Sequence, residues 1–191
     1  MNWFRNDPDS AIAWARQQTD PHIQEAIWPN IASQLAQTDV QGALTIAQSL
    51  TGDARTNAIG NVLSTWAQND PASAAAYAIQ MPDGPDKENS LRYIASSWMQ
   101  NDPAGASQWI INLPSGPAKD GALQQGAFSA LQSDPATAMN LAASIGNDQI
   151  RQSLQTNLAS NWLRNDRPSA IAWIQNSGLP QETKDNLLKQ R

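Results

Sequence analysis

The sequence has no cysteine and a single histidine, His22. Without a thiol there is no disulfide framework, thiolate nucleophile or zinc–thiolate centre. The lone imidazole has no second metal ligand or nucleophile at a recognisable spacing, and its place suggests a solvent-facing residue at a helix start. Basic residues are also scarce, with 12 Lys and Arg against 17 Asp and Glu and a formal net charge of −5. That imbalance opposes nucleic-acid binding, which depends on cations that neutralise phosphates and release counterions. It disfavours acidic membranes for the same reason. Apolar runs all fall short of the roughly 20 residues that cross a bilayer. The opening residues, Met1 to Asp7, lack the basic and apolar segments of an export signal. The chain therefore reads as soluble, with its compartment undetermined. Glycine-rich phosphate loops and nucleophile elbows are missing as well. We expect no cofactor, no metal and no catalysis.

What the sequence does have is a period. Asp7, Asp39, Asp70, Asp102, Asp134 and Asp166 fall 32, 31, 32, 32 and 32 residues apart. Four residues after each stands an alanine: Ala11, Ala43, Ala74, Ala106, Ala138 and Ala170. Seven residues after come Trp14, Ile46, Tyr77, Trp109, Leu141 and Trp173, and four before come Trp3, Leu35, Trp66, Trp98, Ala130 and Trp162. Asp followed by Pro marks a helix start, because the carboxylate accepts a bond from an unpaired first-turn N–H while Pro gives up an N–H that had no partner. The pair occurs intact at Asp7-Pro8, Asp70-Pro71, Asp102-Pro103 and Asp134-Pro135. From each start the +4, +7 and +8 positions share one helical face, which predicts a short helix ending in loops such as Met81-Pro82-Asp83-Gly84-Pro85.

A longer helix leads back to the next Asp, with Leu91, Ile94, Ala95 and Trp98 as its apolar stripe. So short a connection predicts antiparallel hairpins whose small apolar faces must stack to enclose a shared core. The expected fold is all-α: one α-solenoid domain over residues 1–191, with about six hairpins and 11–12 antiparallel helices. Seven of the eight tryptophans fall in the −4 and +7 columns and Trp28 in another apolar column. Each buries roughly 150–250 Å², so the reading is a tryptophan-rich core. Pro29 predicts a kink or a late helix start. Gly126 and Ala130 predict closer helix approach or a thinner core. Both ends interrupt the pattern, which suggests a piece of a longer array, or end-to-end self-association through Trp3, Ile12 and Trp14.

Leu91, Ile94, Ala95 and Trp98, followed by Ala106, resemble the tetratricopeptide signature of a large residue, Leu, a small residue, Tyr and then Ala. The likeness spans all six units, although the unit has about 32 residues where that family has 34, and Trp stands in place of Tyr. The resemblance implies a right-handed superhelix whose concave wall binds peptides or protein segments. Members often hold a terminal carboxylate with a Lys and Asn clamp. The nearest positions here are Asn57, Gly60, Ser64, Asn89, Arg92, Ser96, Gly121, Gln124 and Phe128, and they do not reproduce it.

Three polar columns remain. The anchor Asp residues recur once per unit, roughly 10 Å apart or more when helices pack, so they cap helices and do not converge on one ion or bond. Arg55, Lys87, Lys119 and Arg151 stand fifteen residues before an anchor and would form a ladder for an acidic partner, or a solvated face neutralised by Asp53, Asp86, Asp120 and Asp148. Nine residues before each anchor stand Asn30, Asn61, Tyr93, Gln125 and Asn157, groups able to pair with a peptide backbone. With Arg92 and Gln124 they are the candidate binding residues. The expected function is a non-catalytic scaffold for a protein or peptide. A self-associating structural module is the alternative, and a glycan-binding or hydrolase-like repeat protein the weaker rival.

Overall fold

The computed structural model describes residues 8–17 and 21–189. Among them are twelve α-helices and no strand. The chain divides into two compact units, residues 1–101 and 102–191. The expectations for Trp3 and Asp7 lie outside the described residues, as do the side chains of Ala11 and His22.

The first unit holds α1 (Pro8–Gln17), α2 (Pro21–Leu35), α3 (Val40–Ser49), α4 (Gly52–Asn69), α5 (Pro71–Gln80) and α6 (Pro85–Asn101). Each helix packs on the next, and the longer helices also pack in series, α2 on α4 and α4 on α6. The core comes from both kinds of helix: Ile31 and Ala32 on α2, Ala43 and Ala47 on α3, Val62 and Leu63 on α4, Ala74 and Ala78 on α5, Ile94 and Ala95 on α6. A fully buried aliphatic side chain contributes about 1.5–3 kcal/mol, and the small alanines let the helices approach closely enough to make that burial complete. Pairing is closest between α4 and α6. There Gly60 leaves room for the Tyr93 ring, whose Cδ2 would lie 2.5 Å from a Cβ at that position. The Ser97 hydroxyl donates across the same interface to the Ser64 carbonyl at 3.1 Å. Pro29 lies inside α2, which begins at Pro21 and runs through it, so the late start is excluded.

The second unit holds α7 (Pro103–Ile111), α8 (Pro117–Ala130), α9 (Pro135–Ala143), α10 (Asp148–Asn165), α11 (Arg167–Asn176) and α12 (Gln181–Lys189). Here α8 packs on α7 and α9, α9 on α10, and α10 on both α11 and α12. Its core is Ala106 and Ile110, Leu123 and Ala127, Ala138 and Leu141, Leu158 and Ala159, Ala170 and Ile174, with Leu187 from α12. The closest pair in this unit is α8 with α9. Gly126 and Ala130 on α8 are both buried.

The expected tryptophan-rich core is corrected. Of the described tryptophans only Trp162 is buried, at 9% exposure, while Trp14 is 39% exposed and Trp28, Trp66, Trp98, Trp109 and Trp173 are half-buried. In the short helices the +4 and +8 positions are enclosed: Ala106 and Ile110 are fully buried while Trp109, about 100° round the helix, sits at the shoulder, and of the +7 residues only Leu141 is buried among those described. Gaps between helices drawn together by alanine have no room for an indole. The ring covers the rim, and in Trp109 and Trp162 the indole nitrogen is itself enclosed.

Two loops end in glycines that only glycine suits. Gly84 has φ +146° and Gly116 φ +147°, and each precedes the proline that opens the next helix, Pro85 or Pro117.

Candidate functional site

The anchor aspartates form a repeated joint. The carboxylates of Asp39, Asp70, Asp102, Asp134 and Asp166 accept from the backbone N–H three residues on, at 2.9, 3.0, 3.0, 3.0 and 3.3 Å. Their backbone angles are nearly identical, with φ between −139° and −146° and ψ between 79° and 88°. Each carbonyl accepts from the alanine N–H four residues on, and in Asp39, Asp70, Asp134 and Asp166 the N–H donates to the carbonyl four residues back. One residue thus closes one helix and opens another. Bonds from the Ser73 hydroxyl and N–H hold Asp70 below the usual carboxylate range, and the Thr137 hydroxyl and N–H do the same for Asp134. These carboxylates are occupied in capping, as expected. Among the described residues, no group of three or more His, Cys, Asp or Glu could hold a metal, and no helix is long and apolar enough to cross a membrane.

The basic column has a different part. Arg55 Nη1 donates to the Gln48 carbonyl at 3.0 Å, Lys119 Nζ to Ile111 at 2.5 Å and Arg151 Nη1 to Ile145 at 2.8 Å. Lys184 does the same for Gln175 at 3.1 Å. Each cation sits on the carbonyl end of a short helix, the negative pole of its dipole. Of the expected neighbouring pairs, Arg151 with Asp148 forms, at 2.5 Å; Arg55 instead reaches Asp86 on α6 at 2.9 Å, and Lys87 pairs with Asp83 at 2.9 Å. Burial pushes the Asp86 carboxyl up, but hydrogen bonds from Thr56 and Arg55 outweigh it and hold the group below the ordinary value. Asp120 instead accepts from the Gly146 N–H at 3.2 Å.

The candidate binding residues lie on five long helices. Asn30 on α2 is exposed, Asn61 on α4 half-buried, Arg92 on α6 exposed and Tyr93 half-buried. Gln124 and Gln125 on α8 are half-buried, and Asn157 on α10 is exposed. Arg92 enters a polar relay: its Nη2 donates to Asn89 at 2.6 Å, and Asn89 donates to Asn57 on α4 at 3.4 Å. Tyr93 belongs to packing, through its ring against Gly60.

Asn157 belongs to something larger. In the second unit a cleft of about 780 Å³ is lined by Gln149, Gln152, Ser153, Thr156, Asn157, Ser160, Asn161 and Arg164 of α10, and by Thr183, Asn186 and Leu187 of α12. Asn161 Nδ2 donates to the Asn157 Oδ1 at 2.9 Å and to its carbonyl at 3.1 Å. That bond fixes the Asn157 amide with its nitrogen as the remaining donor. The lining has amides, hydroxyls and one permanent cation, and no carboxylate, in a chain of net negative charge. Reading the sequence by columns captured Asn157 alone. The signal for the rest is its spacing: 149, 152, 153, 156, 157, 160, 161 and 164 follow one face of a helix, as an apolar stripe would. No protein-family model, curated protein or solved structure matches the chain.

Proposed function

We propose that this chain is a non-catalytic, peptide-binding helical-repeat protein, a tetratricopeptide-like α-solenoid of about six hairpins. The repeat reading is supported by the recurrence of one cap geometry at five anchors and of fully buried alanines four residues after them. The functional reading rests on the α10–α12 cleft. Its amides alternate along the groove at helical spacing, so they offer donors and acceptors to an extended main chain, and Arg164 offers a charge for a carboxylate. The lining contains serine and threonine hydroxyls but no base to activate them.

The test is a selection from a displayed peptide library with the full chain, followed by calorimetric titration of the enriched peptides. Enriched sequences should carry an acidic group, and Asn157→Ala and Arg164→Ala should each weaken them about tenfold, the loss of one buried or charge-assisted hydrogen bond. Peptides whose affinity is indifferent to both substitutions defeat the proposal. A second reading, self-association through α1, is favoured by the 39% exposure of Trp14 beside the half-buried Ile12. Light scattering over a concentration series tests it, and a mass that stays monomeric throughout removes it.

A further inference from the structure

Four short helices end on a cation supplied by their own chain, and α5 does not. The residue at the capping position after α5 is Lys87, whose ammonium donates to Asp83 at 2.9 Å instead. Among the described residues, no side chain donates to the last carbonyls of α5. That end of the helix borders a cavity of about 440 Å³, within the range of small-ligand pockets. Its lining includes Tyr77, Gln80 and Met81 from α5 and its end, Asp83 and Asp86 from the following loop and helix, and Gln48 from α3.

We infer that this cavity receives the cationic side chain of a basic peptide segment, with the guanidinium or ammonium occupying the place that an intramolecular cation fills elsewhere. Three features of the cavity favour a cation. The carbonyl end of α5 is the negative pole of the helix. The Tyr77 ring, tilted at 53° against Trp66 with centroids 6.0 Å apart, supplies an aromatic wall. Of the ionisable groups in the lining, Asp83 and Asp86 outnumber Arg55; Asp86 is paired with Arg55, and Asp83, paired with Lys87, is the carboxylate an incoming cation would share. Gln48 and Gln80 are exposed at the rim; the Gln48 Nε2 donates to the Tyr77 hydroxyl at 2.9 Å, which leaves the Gln48 Oε1 and the Gln80 amide to pair with the main chain flanking the inserted residue. That requirement selects a peptide over a free polyamine. The apolar walls, Ile59, Met81, Pro82 and Pro85, suit the methylene stem of such a side chain. This inference is independent of the α10–α12 cleft, which would take an acidic group.

The test uses the full chain, ¹⁵N-labelled, titrated with Nα-acetylarginine amide and, in parallel, with its neutral isostere Nα-acetylcitrulline amide and with spermidine. The arginine derivative should shift the backbone amides of Gln80, Met81, Asp83 and Gly84 saturably, and bind at least about fivefold more tightly than citrulline, as a cation–π contact plus a screened charge pair provides. The preference should shrink as salt rises. Asp83→Asn, in an exposed loop, removes a carboxylate and releases Lys87 to cap α5, and should weaken the arginine derivative by a similar factor. Arg164→Ala should leave this titration unchanged. Equal shifts with citrulline, shifts confined to other residues, or spermidine binding in place of the arginine derivative would each overturn the inference.

Discussion

Gly60→Ala is expected to destabilise the protein, and to stabilise it once Tyr93 is shortened. In the middle of an exposed helix, Ala is favoured over Gly by about 1 kcal/mol. At Gly60 an added Cβ would meet Tyr93 Cδ2 at 2.5 Å and Cε2 at 2.7 Å, about 1 Å inside the ordinary 3.5–4.0 Å contact distance. The ring must turn out of the α4–α6 interface, and overpacking of this kind costs about 1–3 kcal/mol. The net effect is a loss of about 0–2 kcal/mol. In a Tyr93→Ala background the obstacle is gone and the helix propensity alone operates, so the same Gly60→Ala change should gain about 0.5–1 kcal/mol. The coupling between the two sites is then about 1–3 kcal/mol, in the range of residues in direct contact. Urea unfolding of the four proteins, followed by far-ultraviolet circular dichroism and checked for coincidence with tryptophan fluorescence, measures this cycle. If Gly60→Ala has the same sign and size in both backgrounds, the glycine is not there to admit the ring, and Tyr93 returns to the candidate ligand-binding residues.

Two further predictions concern charge. Asp70, Asp86 and Asp134 titrate below their ordinary value of 3.8 in the folded chain, so their contribution to stability is complete above that pH and disappears as pH falls through the lowered folded values. The melting temperature should hold steady in mildly acidic buffer and fall below about pH 4; Asp134→Asn keeps the cap but removes one titrating group, and should make that fall shallower, whereas an unchanged slope would refute the assignment. Arg151→Met removes the donor to the Ile145 carbonyl and the bond to Asp148, and should cost about 1 kcal/mol, the lower end for a charge-assisted bond that is partly open to solvent. A loss within about 0.3 kcal/mol of zero in chemical denaturation would mean that the end of α9 needs no cation.

The sequence disclosed the helices well because their punctuation is chemical. Asp before Pro can do little but start a helix, and the capped starts of α5, α7 and α9 lie where Asp70, Asp102 and Asp134 put them. The core was harder. Hydropathy draws attention to indoles, yet the enclosed positions are held by alanines such as Ala74, Ala78 and Ala142, whose value lies in the close approach they permit. The basic column resisted reading because its partners are backbone carbonyls, which leave no trace in the identity of a residue. Of the side-chain pairs, only Arg151 with Asp148 was anticipated; Arg55 with Asp86 and Lys87 with Asp83 were not. In the cleft, Asn157 was visible as one member of a repeating column, but its neighbours Gln149, Gln152, Ser153 and Thr156 differ from the residues at matching positions in other units. Alignment by unit therefore hides a stripe that runs along a single helix.

The aspartate joints make the two kinds of connection between helices unequal in how they can change. At Asp70 and Asp166 a single residue separates two helices, with its N–H, carbonyl and carboxylate all engaged. Adding even one amino acid there would break several bonds and rotate everything downstream. The other connections, residues 50–51, 81–84, 112–116, 144–147 and 177–180, range in length from two to five residues. New sequence can accumulate in these loops without disturbing the helices, so they are where an epitope tag or a grafted loop should be placed, and where natural variants of this protein are free to diverge.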